Sequence, residues 1–128
     1  MVHTSTDIQV GVADTTKQHT VADEVVIEGR GLFLGEPSRM VLQPAPPDHG
    51  IVFERSDLDP PVRIPAVAHH IAKRARRTTL KMGPVSIETV EHCMSALAGL
   101  RIDNALIRLS GPELPCGDGS AAPFVDPI

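Results

Sequence analysis

The chain contains neither tryptophan nor tyrosine, and its aromatic residues are three phenylalanines among 128 residues. Its core must therefore be built from Val, Ile, Leu, Met and Ala, and the stacked aromatic platforms that bind single-stranded nucleic acid are excluded. Cysteine is scarce: Cys93 and Cys116 are too few for a disulfide framework. Positive charge is also in deficit, 12 Lys and Arg against 16 Asp and Glu, for a formal net charge of −4. A general nucleic-acid binder needs the opposite balance, so no nucleic-acid partner is expected. No apolar run approaches the roughly 20 residues needed to span a bilayer, so no transmembrane segment is expected. Met1–Asp14 lacks the basic stretch and apolar run of a signal peptide. These absences together suit a reducing cytoplasm.

What is present suits one globular domain. Hydrophobic residues make up 41% and charged residues 22%, too apolar for a disordered chain. The first stretch, residues 1–20, is rich in Thr, Asp, Gln and His and reads as a poorly ordered leader, with the domain over 21–128. Val25-Val26-Ile27 running into the glycines at 29, 31 and 35 suggests two strands joined by a tight turn. Short strands are expected at Arg39–Gln43, stopped by Pro44, and at Ile51–Arg55. Val62–Ile64 alternates like an edge strand. Over 66–77 the pattern fades and Lys73, Arg74, Arg76 and Arg77 cluster. Thr78–Met82, Gly83-Pro84 and Val85–Ile87 then read as strand, turn, strand.

One helix stands out, from about Thr89 to Leu100, with Thr89 as its N-cap. Val90, Cys93, Met94 and Leu97 follow the spacing of an amphipathic helix. Asn104–Leu109 returns to strand with Ala105, Ile107 and Leu109 on one face. Pro112–Gly119 is a loop, and Ser120 caps a second helix. The expected class is α+β: a mainly antiparallel sheet packed on helices.

Projected at 100° per residue, Glu91 lies at the margin of the helix's apolar stripe and His92 on the opposite side, among Ser95, Ala96 and Gly99. Small residues there shape the face for a covering backbone. An imidazole beside a carboxylate suits a zinc ligand next to a general base. An acidic residue in a helix's first turn equally suits the helix dipole.

A longer set of motifs decides between these readings. Glu88-Thr89-Val90-Glu91-His92, Ala96-Leu97-Ala98-Gly99-Leu100, Ile102-Asp103-Asn104, Gly111-Pro112-Glu113 and Asp118-Gly119-Ser120-Ala121-Ala122-Pro123-Phe124 occur in order. Upstream stand Gly29-Arg30-Gly31-Leu32 and the stretches Gln43–Ile51 and Arg55–Val62. The sequence after about Thr20 resembles the amino-terminal domain of the UDP-3-O-acyl-N-acetylglucosamine deacetylases of lipid A biosynthesis. The resemblance implies one of two similar α+β domains that sandwich helix against helix, and a zinc-dependent hydrolysis of the substrate's acetamide. It implies Glu91 as general base, His92 as one ligand to Zn²⁺, and Asp118 as support for the site. The family's remaining ligands belong to a carboxy-terminal domain that this chain does not contain, so a complementary domain or a homodimer partner is expected to complete the site. His69 and His70 offer no metal spacing and are expected to be solvent-exposed.

Two departures stand out: Phe33 where the family usually carries His, and Arg76-Arg77 where Leu-Cys is common. The two arginines either contact a substrate phosphate or keep a surface strand soluble. The alternative to a deacetylase half is a catalytically silent relative serving as a binding or regulatory module.

Overall fold

The computed structural model describes residues 2–7, 17–31, 34–74 and 77–115. Phe33, Arg76, Asp118 and the helix expected from Ser120 lie outside them. Ten strands, one α-helix and a single 3-10 turn at Ala68–His70 are present among the described residues: β1 Val2–Asp7, β2 Lys17–Val21, β3 Val25–Arg30, β4 Pro37–Pro44, β5 Ile51–Arg55, β6 Val62–Pro65, β7 Ile71–Arg74, β8 Arg77–Met82, β9 Val85–Glu88, α1 Glu91–Gly99 and β10 Ala105–Leu109. They form a two-stranded pair β1-β2, a five-stranded sheet in the order β3-β4-β10-β5-β6 and a three-stranded sheet β7-β8-β9. All pairings are antiparallel except β10 with β5. The mixed α/β content agrees with the α+β expectation.

Alternation fixes the two faces of the large sheet, because successive side chains on a strand point to opposite sides. Val25, Leu42, Ile107, Phe53 and Ile64 stand opposite one another in register across all five strands. With Ile27, Met40, Ala105 and Leu109 they join Leu80 and Ile87 of the small sheet and Cys93, Ala96 and Leu97 of α1 in one buried cluster. Phe53, fully buried, is the only aromatic side chain in it among the described residues. Aliphatic residues fill the rest, as the composition requires.

Several local choices agree with this architecture. Gly83 takes a positive φ of 59° between Met82 and Val85, and Pro84 follows it, the residue types that a tight hairpin turn of this kind demands. At the end of α1, Arg101 is left-handed (φ 58°). Its N–H donates to Ala98 O at 3.1 Å and the Ile102 N–H donates to Leu97 O at 2.9 Å. This is the Schellman arrangement, here without the usual glycine, and Ile102 buries itself behind it.

Two stretches differ from expectation. Strand β7 occupies part of the segment where the pattern fades, because Ile71 and Ala72 pair with Leu80 and Thr79 through the backbone while cations interrupt the side-chain alternation. Strand β2 begins at Lys17, inside the stretch expected to be leader. Its ties are polar: the His19 N–H donates to Asp103 Oδ2 at 2.8 Å, and Thr20 Oγ1 donates to Asn104 O at 2.5 Å while accepting the Ala45 N–H at 3.0 Å. Hydrophobic periodicity does not register such ties.

The outward row of the large sheet is Val26, Val41, Arg108, Glu54 and Arg63. Glu54 is only 3% exposed. Its Oε1 accepts from Ser56 Oγ at 2.6 Å and Arg108 Nε at 3.0 Å, and its Oε2 accepts from Arg63 Nε at 2.8 Å. Burial alone pushes a carboxyl up, but the hydrogen bonds from Ser56, Arg63 and Arg108 outweigh it and hold Glu54 at about 2, against an ordinary 4.5. The folded pKa is the lower one, so the stabilisation is complete above about pH 5 and is lost as pH falls toward 2, amounting to at most about 3 kcal/mol with solvent-screened arginines. Between pH 6 and pH 3, urea unfolding should show a loss of stability about 2 kcal/mol larger for the parent chain than for Glu54→Gln. Equal losses in the two chains would remove Glu54 as a source of acid sensitivity.

Candidate active site at the start of helix α1

Helix α1 leaves β9 through an unusual residue. Thr89 is fully buried and left-handed, with φ 63°, a conformation that costs a β-branched residue on the order of 1–3 kcal/mol. It is not the N-cap the sequence suggests. Val90 holds that position with helical backbone and no side-chain cap, and the Thr89 hydroxyl instead donates to Glu113 Oε2 at 2.8 Å.

The backbone around Thr89 is gripped from two sides. From β8, the Thr78 carbonyl accepts the Val90 N–H at 3.1 Å, and Thr79 Oγ1 donates to the buried Glu88 carboxylate at 2.9 Å. From the segment after β10, the Pro112 carbonyl accepts the Glu88 N–H at 2.6 Å and the Leu114 N–H donates to Glu88 O at 3.3 Å. Four backbone or side-chain bonds therefore fix where the helix begins.

Glu91 and His92 form its first turn, both half-buried. Glu91 Oε1 accepts the Thr78 N–H at 3.1 Å, and its other oxygen, Oε2, lies 3.9 Å from His92 Nε2. That separation is a close approach of a carboxylate to an imidazole rather than a hydrogen bond. The helix is turned differently from the projection. Cys93, Ala96 and Leu97 are buried while Met94 is only partly so, so Ala96 belongs to the core and not to the outer face with Ser95 and Gly99. Docking of Val90 on Thr78 sets the rotation, which the sequence pattern leaves free within a residue or two. Burial pushes the Cys93 thiol up to about 12, which makes it a core group and not a nucleophile.

Arg77 opens β8, in register opposite Arg74 and next in sequence to Thr78; Arg76 and Asp118 lie outside the described residues. His69 is exposed and its ring lies 4.1 Å from that of His70. Among the described residues no group of three or more His, Cys, Asp or Glu side chains is placed to hold a metal ion, and no helix is long and apolar enough to cross a membrane. An open depression of about 420 Å³ lies on the outward face of the large sheet, lined by Glu24, Arg39, Gln43, Asp57 and Arg108 among others. It belongs to the face opposite the core that carries α1, and its two cations are matched by two anions.

Sequence reasoning gave no site role to Thr78 or Glu113 and read Thr89 only as an N-cap. The signal for Glu113 was Gly31: a Cβ there would overlap the Glu113 carboxyl and come within 2.9 Å of its Cγ, so glycine at 31 leaves the space that side chain occupies.

A family model described as LpxC, UDP-3-O-acyl N-acetylglycosamine deacetylase, matches residues 18–128. The chain belongs to this family. It is 50% identical over 109 residues to the UDP-3-O-acyl-N-acetylglucosamine deacetylase of Cellvibrio japonicus and, equally, to that of Teredinibacter turnerae. In each case the match covers 85% of this chain and 36% of the relative, so the chain spans little more than a third of the length of these relatives. The matched region contains Glu91, His92, Thr89 and Glu113 alike.

Gly31→Ala should destabilise the chain by about 1–3 kcal/mol through overpacking against Glu113. Gly99→Ala, which meets open space, should leave stability unchanged or raise it. Urea midpoints of the two variants measure the contrast, and equal values would show that Gly31 has no close neighbour.

Proposed function

We propose that this chain is the amino-terminal half of a zinc-dependent UDP-3-O-acyl-N-acetylglucosamine deacetylase, completed by a carboxy-terminal domain or by a second chain. The observation that carries the reading is the Glu91–His92 pair, half-exposed at a rigidly anchored helix start, in a chain belonging to this family. In donor type the pair fits zinc, an imidazole nitrogen with a carboxylate beside it. In number it does not suffice, since catalytic zinc usually takes three protein ligands and a water. His92 would thus be one ligand of a set completed from outside the chain.

Bound zinc supplies Lewis-acid polarisation of the amide carbonyl and acidification of water. The work of this chain's residues follows from geometry. The Thr78 N–H occupies Glu91 Oε1, leaving Oε2, the oxygen nearer His92, as the one to take a proton from the attacking water. Holding the carboxylate by a backbone donor restricts its rotation, so the base meets the water in one orientation. Hydrolysis of the acetamide releases acetate and leaves the free amine on the sugar. Arg76 and Arg77, directly before Thr78 in sequence, carry the charge-assisted donors that suit a substrate phosphate oxygen. Asp118, in the Asp-Gly-Ser motif, would support the site.

The test is acetate release from UDP-3-O-acyl-N-acetylglucosamine by the chain co-expressed with a carboxy-terminal domain from one of its relatives. Glu91→Gln should lower kcat by 10²-fold or more, the usual weight of a general base. Calorimetric zinc titration should give tight binding to the pair and weak binding to the chain alone, and His92→Ala should abolish the tight component. Unchanged acetate release in Glu91→Gln would remove Glu91 as the general base, and no acetate release from the assembled parent would leave a silent binding module as the better account.

A further inference from the structure

The buried carboxylate of Glu113 has no part in the chemistry just described, yet its placement is more constrained than that of Glu91. Its own backbone is pinned between strands: Ser38 Oγ of β4 donates to Glu113 O at 2.6 Å, and Glu113 bridges in parallel to Glu88 of β9. Its Oε1 accepts the Leu34 N–H at 2.8 Å, and its Oε2 accepts the Thr89 hydroxyl at 2.8 Å. The side chain is 3% exposed. One fixed carboxylate thus ties the turn between β3 and β4 to the left-handed residue from which α1 departs.

We propose that Glu113 is a positioning residue which, through the Thr89 hydroxyl, sets the angle at which α1 leaves β9 and so the placement of Glu91 and His92. This deepens the deacetylase reading above and rests on it. The argument turns on the identity of residue 89. Glycine adopts φ near 60° without strain, whereas threonine does so at a cost. The strain persists because the hydroxyl is held by Glu113 while the next residue, Val90, is held by the Thr78 carbonyl. Residue 91 then delivers its carboxylate to the Thr78 N–H. Releasing the hydroxyl removes the restraint on the strained residue itself, which then relaxes within the hold of its neighbours' bonds, and the two residues of the first turn shift with it.

The experiment uses the chain assembled with its carboxy-terminal domain. Thr89→Val removes the hydroxyl and keeps the branched shape. It should lower kcat about 10- to 100-fold, as loss of an outer positioning partner typically does, with KM changed by less than about threefold. Thr89→Ser keeps the hydroxyl and should restore most of kcat. Glu113→Gln retains an oxygen for the Leu34 N–H and an amide that donates to Thr89, so it should stay close to the parent, while Glu113→Ala should behave like Thr89→Val. Should Thr89→Val fail to fold, Thr89→Ala, which keeps a Cβ in the left-handed backbone and lacks the hydroxyl, carries the same expectation. In the metal-free 128-residue chain, NMR should show the His92 ring and the Glu91 and His92 amides shifted by Thr89→Val or Thr89→Ala and unshifted by Thr89→Ser. A folded Thr89→Val or Thr89→Ala with parental kcat and unshifted His92 resonances overturns the proposal. If the assembled parent releases no acetate, the deacetylase assignment fails by itself, and the NMR shifts still decide whether Glu113 positions this turn.

Discussion

Strand β10 is the last strand of the described chain and the middle strand of its largest sheet, paired antiparallel to β4 on one side and parallel to β5 on the other. The five-stranded sheet is therefore two separate hairpins, β3-β4 and β5-β6, until residues 105–109 insert between them. Ile107 completes the buried row from Val25 to Ile64, and the parallel pairing needs the long connection through the small sheet and α1. The helix that carries Glu91 and His92 lies inside that connection. Its start is pinned by β8 before it and by residues 112–114 after β10, so closure of the sheet and shaping of the site are one event.

The chain compensates for its few aromatics with buried polar ties. Glu54 links three strands on the outward face through Arg63 and Arg108, Glu88 links β9 to β8 through Thr79, and Glu113 links the turn after β3 to the start of α1. A buried carboxylate is costly unless its oxygens are satisfied, and removing one partner leaves the other group stranded. Such ties add specificity of register and direction more than net stability. That property bears on the start of α1, where the carboxylate of Glu91 and the imidazole of His92 hold a fixed orientation.

Much of this was legible in the residues. Strands β3 to β6, the β8-β9 hairpin and β10 follow from period-two alternation punctuated by Gly and Pro, and α1 from the spacing of its apolar residues. The Glu91–His92 pair was found through motif resemblance, since an isolated Glu-His dipeptide carries almost no information. Strand β7 was hidden because Lys73 and Arg74 interrupt the apolar pattern while the backbone still pairs. Strand β2 was hidden because its ties to Asp103 and Asn104 are polar and 84 residues away in sequence.

By itself the sequence determined which segments extend, which one coils, where they turn, and, through its motifs, that the chain belongs to the deacetylase family. These are local properties, set by side-chain periodicity and backbone freedom over a few residues. Tertiary structure alone decided that the last strand lies at the centre, that Ala96 faces the core, that Thr89 is left-handed instead of a cap, and that Glu113 reaches across to hold it. Each of these depends on contacts between residues far apart in the chain, whose energies exceed the local preferences they override.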